Sequence, residues 1–284
     1  MLLEPSSVKQ WQFPSISCIT ICMGRLHHLK RTLPINLQWS RRYPHIEWVL
    51  LDYNCPDGTG EWVRSTLGDD LESGRLIYWR TSAPNDFHFS HSRNMAARLA
   101  SGKILCLVDA DNFTGQDFAF YVARNLPERG ALVGCPMEGD QFVPGGDQGT
   151  CGRLAVSTEQ FLEIRGYDEG MYGWGYEDID LFIRLQSAGA KCSPIEAAYL
   201  DCINHDDKER CAFTKTKKIG REDPLEEGSS CRRNLERSKH NLQLNNLKPN
   251  GAEFGCGVVY RNFAPEPIAI GPHREIEFET MAKP

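Results

Sequence analysis

The sequence predicts an α/β fold, with a mostly parallel central sheet flanked by helices on both faces of a single domain. Three observations predict it. Short apolar, β-branched runs recur at 15–22, 46–52, 76–79 and 104–109, each with the length of a buried strand. Helix-forming stretches separate them, which is the pattern of parallel strands joined by crossover helices. The 284 residues are 40% hydrophobic and 25% charged, the ordinary balance of a globular chain. A net charge of −6 counts against coating nucleic acid or an anionic membrane. The eleven cysteines are odd in number, irregularly spaced and free of CxxC pairs, which counts against a disulfide framework or a zinc ribbon. The start MLLEPSSVKQWQF has no basic stretch followed by an apolar run, and no run reaches the roughly 20 apolar residues that span a bilayer. The expectation is a soluble, cytoplasmic protein with no integral membrane segment and no nucleic-acid partner.

Taken in order, SISCITIC at 15–22 reads as the first strand. The next stretch places Leu26, Leu29, Leu33 and Leu37 on one helix face, and Pro34 is expected to kink or break that helix. IEWVLLD at 46–52 is a second strand, closed by the turn-rich NCPDGTG. A short helix at 60–67 and a strand at 76–79 follow. SHSRNMAARLA at 90–100 begins with Ser and holds good helix formers. ILCLVD at 104–109 is the fourth strand. ALVGCPM at 131–137 fits a further strand, and EGDQFVPGGDQGTCG is a Gly-rich loop. Helices are expected at 157–165, with Ser157 as cap and Gln160 completing a capping box, and at 177–188. Between 205 and 240 ten Lys/Arg face eight Asp/Glu, which reads as a solvated, partly helical tail.

Ligands of such sheets bind at the carboxyl ends of the strands, which directs attention to Arg25, Asp52, Asp109 and Asp111. Asp109-Ala110-Asp111 sets two carboxylates one residue apart at a strand end. That arrangement either caps a turn or ligates a hard cation such as Mg²⁺ or Mn²⁺ bridging to a diphosphate. YGWGYEDID, 172–180, interleaves aromatics with glycines before three acids. Glu177 and Asp178 suit a helix N-terminus, and the aromatics suit a sugar platform beside a carboxylate base. His205 alone reads as a surface residue, Asp52 as a turn cap or a base contact, and Arg93 as a phosphate partner or a solvent-facing charge. Gly145, Gly146, Gly149 and Gly152 either hinge a loop or only make turns.

In this order the motifs resemble nucleotide-sugar glycosyltransferases of the GT-A fold, broadly family 2. GRLAVSTEQFLEIRGYDEGMYGWGYEDIDLFIRL, 152–185, is similar to the acceptor segment of beta-1,4-galactosyltransferases and chondroitin-type synthases, with Tyr172 in place of a Trp. ITICMGR at 19–25, SHSRNMAARLASGKILCLVDAD at 90–111 and INHDDKE at 203–209 resemble the family's first strand with its basic turn, its run from a donor-contacting Arg to DxD, and its metal-binding His. The resemblance implies a Rossmann-like GT-A domain over 1–210, its nucleotide-binding part at about 14–112 and its acceptor-binding part at about 131–210. A partly helical extension follows at 211–284. It implies Mn²⁺ (or Mg²⁺) on Asp111 and His205, a UDP-sugar donor on Arg25, Asp52, Arg93 and Asp109, and a carbohydrate or glycoconjugate acceptor on Trp174, Tyr176 and Glu177. Asp178 would be the general base, and Cys202 stands where the family often has a Met ligand. The expected reaction is metal-dependent, inverting transfer of a galactose- or N-acetylhexosamine-type sugar to a hydroxyl. A metal-dependent hydrolase of nucleotide diphosphates or sugar phosphates shares DxD, His and carboxylates but has no use for the aromatic platform. A sugar-binding module has no use for DxD with His.

Overall fold

In a computed structural model, residues 13–143, 149–218, 220, 223 and 226–273 are described. The first half follows the alternation of the sequence. β1 (Ile16–Cys22) leads through α1 (Leu26–Ser40) to β2 (Ile46–Tyr53). Two short helices, α2 (Thr59–Thr66) and α3 (Gly68–Glu72), precede β3 (Leu76–Thr81). Then come α4 (Phe89–Leu99), β4 (Ile104–Leu107), the two-residue β5 (Asn112–Phe113) and α5 (Phe118–Asn125). β6 (Gly130–Val133), the small hairpin β7 (Met137–Glu138) and β8 (Gln141–Phe142), and β9 (Leu154–Ser157) lead into α6 (Thr158–Glu163). After α7 (Glu177–Ser187) the chain forms β10 (Lys191–Pro194), β11 (Asp201–Cys202) and the four-residue α8 (Asp207–Arg210). The described residues finish with α9 (Ser230–Gln243), β12 (Gly257–Arg261) and β13 (Ile268–Ile270).

The sheet has nine strands in the order β10-β6-β9-β4-β1-β2-β3-β12-β13. The pairs β1–β2, β1–β4, β2–β3 and β6–β10 are parallel. β9 runs antiparallel between β4 and β6. Alternate strand residues serve opposite faces, as the pleat dictates. Ile19, Val49, Leu51 and Leu107 join the face packed with Met95 of α4 and Phe182 of α7. Cys18, Trp48, Leu50 and Cys106 join the face packed with Leu29, Leu33 and Leu37 of α1 and Val122 of α5. This two-sided burial is why the central strands read as continuous apolar runs.

Four expectations change. Pro34 does not break α1, which runs through it from Leu26 to Ser40. Leu26, Leu29, Leu33 and Leu37 are all buried on the sheet, and that packing outweighs the roughly 3 kcal/mol a helical proline costs. α4 is capped by His88 rather than Ser90: the His88 side chain accepts from His91 N–H at 3.3 Å. Ser157 does cap α6, accepting from Gln160 N–H at 3.1 Å, but Gln160 Oε1 accepts from Gly130 N–H at 3.1 Å rather than from the cap backbone. The polar stretch holds the expected helix, α9, but is packed against the rest of the chain rather than left as a solvated tail. β12 pairs antiparallel with β3 and carries β13 on its outer edge, while α9 packs on α7. The start of the chain and Gly145 and Gly146 lie outside the described residues.

All eleven cysteines are free thiols. No helix among the described residues is long and apolar enough to cross a membrane.

Candidate active site

Because β1, β2, β4 and β6 are parallel, their carboxyl ends meet at one edge of the sheet. β9 starts at that same edge, Leu154 pairing with Leu107 and Val133, so residues 149–153 are delivered there too. A cavity of about 630 Å³ opens at this edge. It is lined by Arg25, Arg93, Asp109, Asp111, Trp174, Tyr176, Glu177, Asp178 and His205. Among the described residues, the structure thus gathers every candidate of the sequence except Asp52 and Cys202.

The Asp109–Asp111 turn is fixed from several sides. Ala110 C=O accepts from Thr32 Oγ1 at 2.6 Å, and Asn112 N–H donates to Asp109 C=O at 3.0 Å. Arg153, fully buried, donates to Asn112 Oδ1 at 2.9 Å and to the carbonyls of Phe113 and Tyr199 at 3.2 and 2.8 Å. Its guanidinium ties the turn to the segment that leads to His205.

On one wall a single guanidinium serves three carboxylates. Arg93 Nη2 lies 3.2 Å from Asp109 Oδ1, and Nη1 lies 3.0 Å from Asp178 Oδ1 and 3.3 Å from Glu177 Oε1. Glu177 Oε2 also accepts from Gly175 N–H at 2.8 Å. Burial pushes the Asp178 carboxyl up to about 7. Arg93 opposes that rise, and the neighbouring Glu177 and Asp109 add to it. Burial raises Glu177 as well, against the pull of Arg93. Gly152 is the residue this crowding demands. A Cβ there would stand 2.9 Å from Asp109 Oδ2, 3.0 Å from Arg93 Nη2 and 3.3 Å from Asp178 Oδ2.

On the other wall each carboxylate has a basic partner. His205 Nε2 sits 2.7 Å from Asp111 Oδ2, with the His205 side chain 7% exposed. Burial alone would raise Asp111, but the His205 hydrogen bond and charge leave its carboxyl below the ordinary value. Glu209 of α8 takes Arg25 Nη1 at 2.6 Å and the Nε2 atoms of His27 and His28 at 2.7 Å, all on Oε1. Glu209 is a residue that sequence reasoning missed. It lies inside the DDKER run, where an acid has no distinguishing signal.

Trp174 is half-buried, and the Arg210 guanidinium stands 4.8 Å from its ring centroid. Tyr172 is 49% exposed, its ring 4.8 Å from that of His88.

Asp52 is buried, but outside the cavity lining. Its Oδ1 accepts from Cys55 N–H at 2.7 Å and its Oδ2 from Tyr78 O–H at 2.6 Å. The turn-cap reading of Asp52 is the one the geometry supports. Cys202 belongs to β11, pairs with Asn112 and does not line the cavity. Gly149 and Gly152 do line it.

Residues 144–206 match the family model described as the N-terminal domain of galactosyltransferase. Among solved structures, a mannosyltransferase from Pyrobaculum calidifontis in complex with GDP-Man and Mn²⁺ is similar, with a TM-score of 0.55 and 18% identity over 84% of this chain and 73% of that one. The fold is GT-A. GalNAc-T7 with UDP, GalNAc and Mn²⁺ shares this GT-A fold, with a TM-score of 0.51 and 16% identity over 65% of this chain and 43% of that one. S. aureus TarS 1–349 with UDP-GlcNAc has a TM-score of 0.50 and 15% identity over 70% of this chain and 61% of that one. The chain spans less than two thirds of the latter two. No curated protein matches the sequence.

The donor set of the second wall fits a divalent transition ion: one carboxylate oxygen and one imidazole nitrogen that already converge on one point.

Proposed function

We propose that the protein is a metal-dependent, inverting glycosyltransferase that moves a hexose from a UDP-sugar to the hydroxyl of a carbohydrate or glycoconjugate. The observation that carries this reading is one cavity with two chemically distinct walls: Asp111 with His205 on one side, and Asp178 with Trp174 on the other. The match to the galactosyltransferase domain model and the nucleotide-bound GT-A neighbours support it.

Asp111 and His205 would hold Mn²⁺ or Mg²⁺, which when bound neutralises the charge of a leaving diphosphate. Arg25 lines the same side and can pair with a phosphate oxygen once Glu209 releases it. Asp178 stands at the first turn of α7 with a carboxyl that titrates near 7. It can therefore take the proton of an acceptor hydroxyl during attack, and it is held in orientation by Arg93. Trp174 supplies a flat apolar face on which a sugar ring stacks. Glu177, tied to Arg93 and to Gly175 N–H, is an acceptor contact and support for Asp178. One base and a direct displacement invert the anomeric centre.

The test is donor consumption by purified protein with UDP-Gal, UDP-GlcNAc, UDP-GalNAc and GDP-Man, with and without a panel of sugar acceptors, in Mn²⁺ and in EDTA. Metal-dependent consumption that rises with one acceptor supports transfer. Consumption that ignores every acceptor points to a hydrolase, and full activity in EDTA removes the metal.

A further inference from the structure

Helix α9 touches the cavity only through Cys231 and Leu235, yet it grips the acceptor-side segment by its backbone. Ser230 Oγ donates to Trp174 C=O at 2.6 Å, and Asn234 Nδ2 donates to Gly175 C=O at 2.8 Å. Arg233 Nη2 donates to Tyr172 C=O. The far half of the helix is fastened separately. Asp168, fully buried, accepts from Arg237 Nε and Nη2 at 2.7 and 2.9 Å and from Asn241 Nδ2 at 2.9 Å.

The gripped backbone needs an external hold. Gly173, Gly175 and Tyr176 have φ of 76°, 105° and 75°, the left-handed region that repeating helix or strand ladders do not stabilise. The glycines also permit the close approach. A Cβ on Gly173 would stand 2.8 Å from Ser230 Cβ, and one on Gly175 would stand 2.3 Å from Cys231 Sγ. The linkage then runs directly into the site. Gly175 N–H donates to Glu177 Oε2 at 2.8 Å, and Asp178 follows in the first turn of α7.

We propose that Ser230, Arg233 and Asn234 are positioning residues for the acceptor half of the site: α9 holds the 172–175 backbone, and through it the Trp174 ring and the Glu177–Asp178 carboxylates, in the arrangement that receives the acceptor. The word acceptor rests on the transferase reading; the mechanical hold does not. The device also gives the described chain beyond residue 210 a role at the site. Anchoring by Asp168 at one end leaves the other end of α9 rigid enough to impose a backbone conformation.

The experiment compares wild type with Asn234→Ala, Ser230→Ala, Ser230→Thr and Arg233→Ala in the full chain. Hydrogen–deuterium exchange of peptides covering 170–178 is measured without substrate, beside UDP–Mn²⁺ affinity by calorimetry and initial rates over the sugar acceptor panel. Asn234→Ala is expected to speed exchange in 170–178 at least about tenfold while peptides of β1, β2 and β4 keep their protection. UDP affinity should stay within about twofold, and kcat/KM for the acceptor should fall on the order of tenfold. Ser230→Thr, which keeps the hydroxyl, should resemble wild type where Ser230→Ala does not. Arg233 is exposed, so Arg233→Ala leaves the core intact and decides the matter if Asn234→Ala does not fold. Unchanged exchange at 170–178, or exchange that rises evenly over the whole chain, overturns the proposal, as does UDP affinity that falls in step with acceptor use. Wild type that turns over no sugar donor overturns the transferase reading instead, and the exchange result still stands or fails on its own.

Discussion

The two walls of the cavity hold similar residues in opposite electrostatic states. On the Arg93 wall three carboxylates share one cation, so negative charge is in excess, and Asp178 keeps a proton up to about pH 7. On the His205 wall each carboxylate has at least one basic partner, and Asp111 and Glu209 stay below their ordinary values. For Glu209 burial works upward, and Arg25 with His27, His28 and His205 overcomes it. On the proposed reading, stoichiometry of charge, more than residue type, separates proton chemistry from ion binding: the crowded wall would take a proton, and the matched wall would exchange a side-chain partner for an external ion.

The contrast breaks most visibly at Asp178. Asp178→Asn keeps shape and removes basicity, so turnover should fall on the order of 10² to 10⁴ while UDP affinity stays within about twofold. Turnover above half of wild type would place the base elsewhere. The next effect is on the matched wall. His205→Ala should raise the Mn²⁺ concentration for half-maximal binding by at least about tenfold, read by calorimetry with UDP present. Superimposable titrations would leave His205 as a surface partner of Asp111.

A pH profile sharpens the difference further. With Asp178 as the proposed base, which acts in its ionised form, kcat/KM should fall about tenfold per unit below roughly pH 7 and level off above it. The sign for stability is the reverse. A carboxyl whose folded-state pKa lies above its unfolded value near 3.8 makes the fold lose stability as pH rises from about 4 through about 7. Asp178→Asn should therefore be at least as stable as wild type at pH 8, checked by thermal melts at pH 5 and pH 8; greater relative loss at pH 8 would contradict the raised carboxyl. The smallest effect belongs outside both walls. Asp52→Asn weakens the hydrogen bond at Tyr78 and the turn at Cys55, for a loss of about 1–2 kcal/mol in melting experiments, with UDP affinity unchanged. A large drop in UDP affinity would return Asp52 to the donor site.

What the sequence made legible follows from burial. β1, β2 and β4 are apolar on both sides, so their runs were plain, and the residues that end them had to meet at one edge. The YGWGYED segment was legible because aromatics and glycines so arranged suit no core element. What stayed hidden depended on partners distant in the chain. LAVS of β9 is four residues with no periodicity to separate strand from helix. β12 and β13 are partly exposed strands whose assignment rests on pairing, β12 with β3 and the edge strand β13 with β12. Glu209 and α9 matter through what they touch, Arg25 and His28 for one, the carbonyls of Tyr172, Trp174 and Gly175 for the other. His88 replaced Ser90 as helix cap because its ring nitrogen, two residues earlier, reaches the same kind of backbone donor.

The pairing of β12 with β3 has a consequence in time. Arg261 lies opposite Trp79, about 180 residues earlier in the chain. At roughly 5–20 residues per second of synthesis, the free edge of β3 waits on the order of ten seconds or more on the ribosome before its partner emerges. That edge includes the buried Tyr78 and Trp79, and an uncovered strand of this kind recruits other strands. The risk of aggregation at the β3 edge therefore persists until the chain beyond residue 257 has been made.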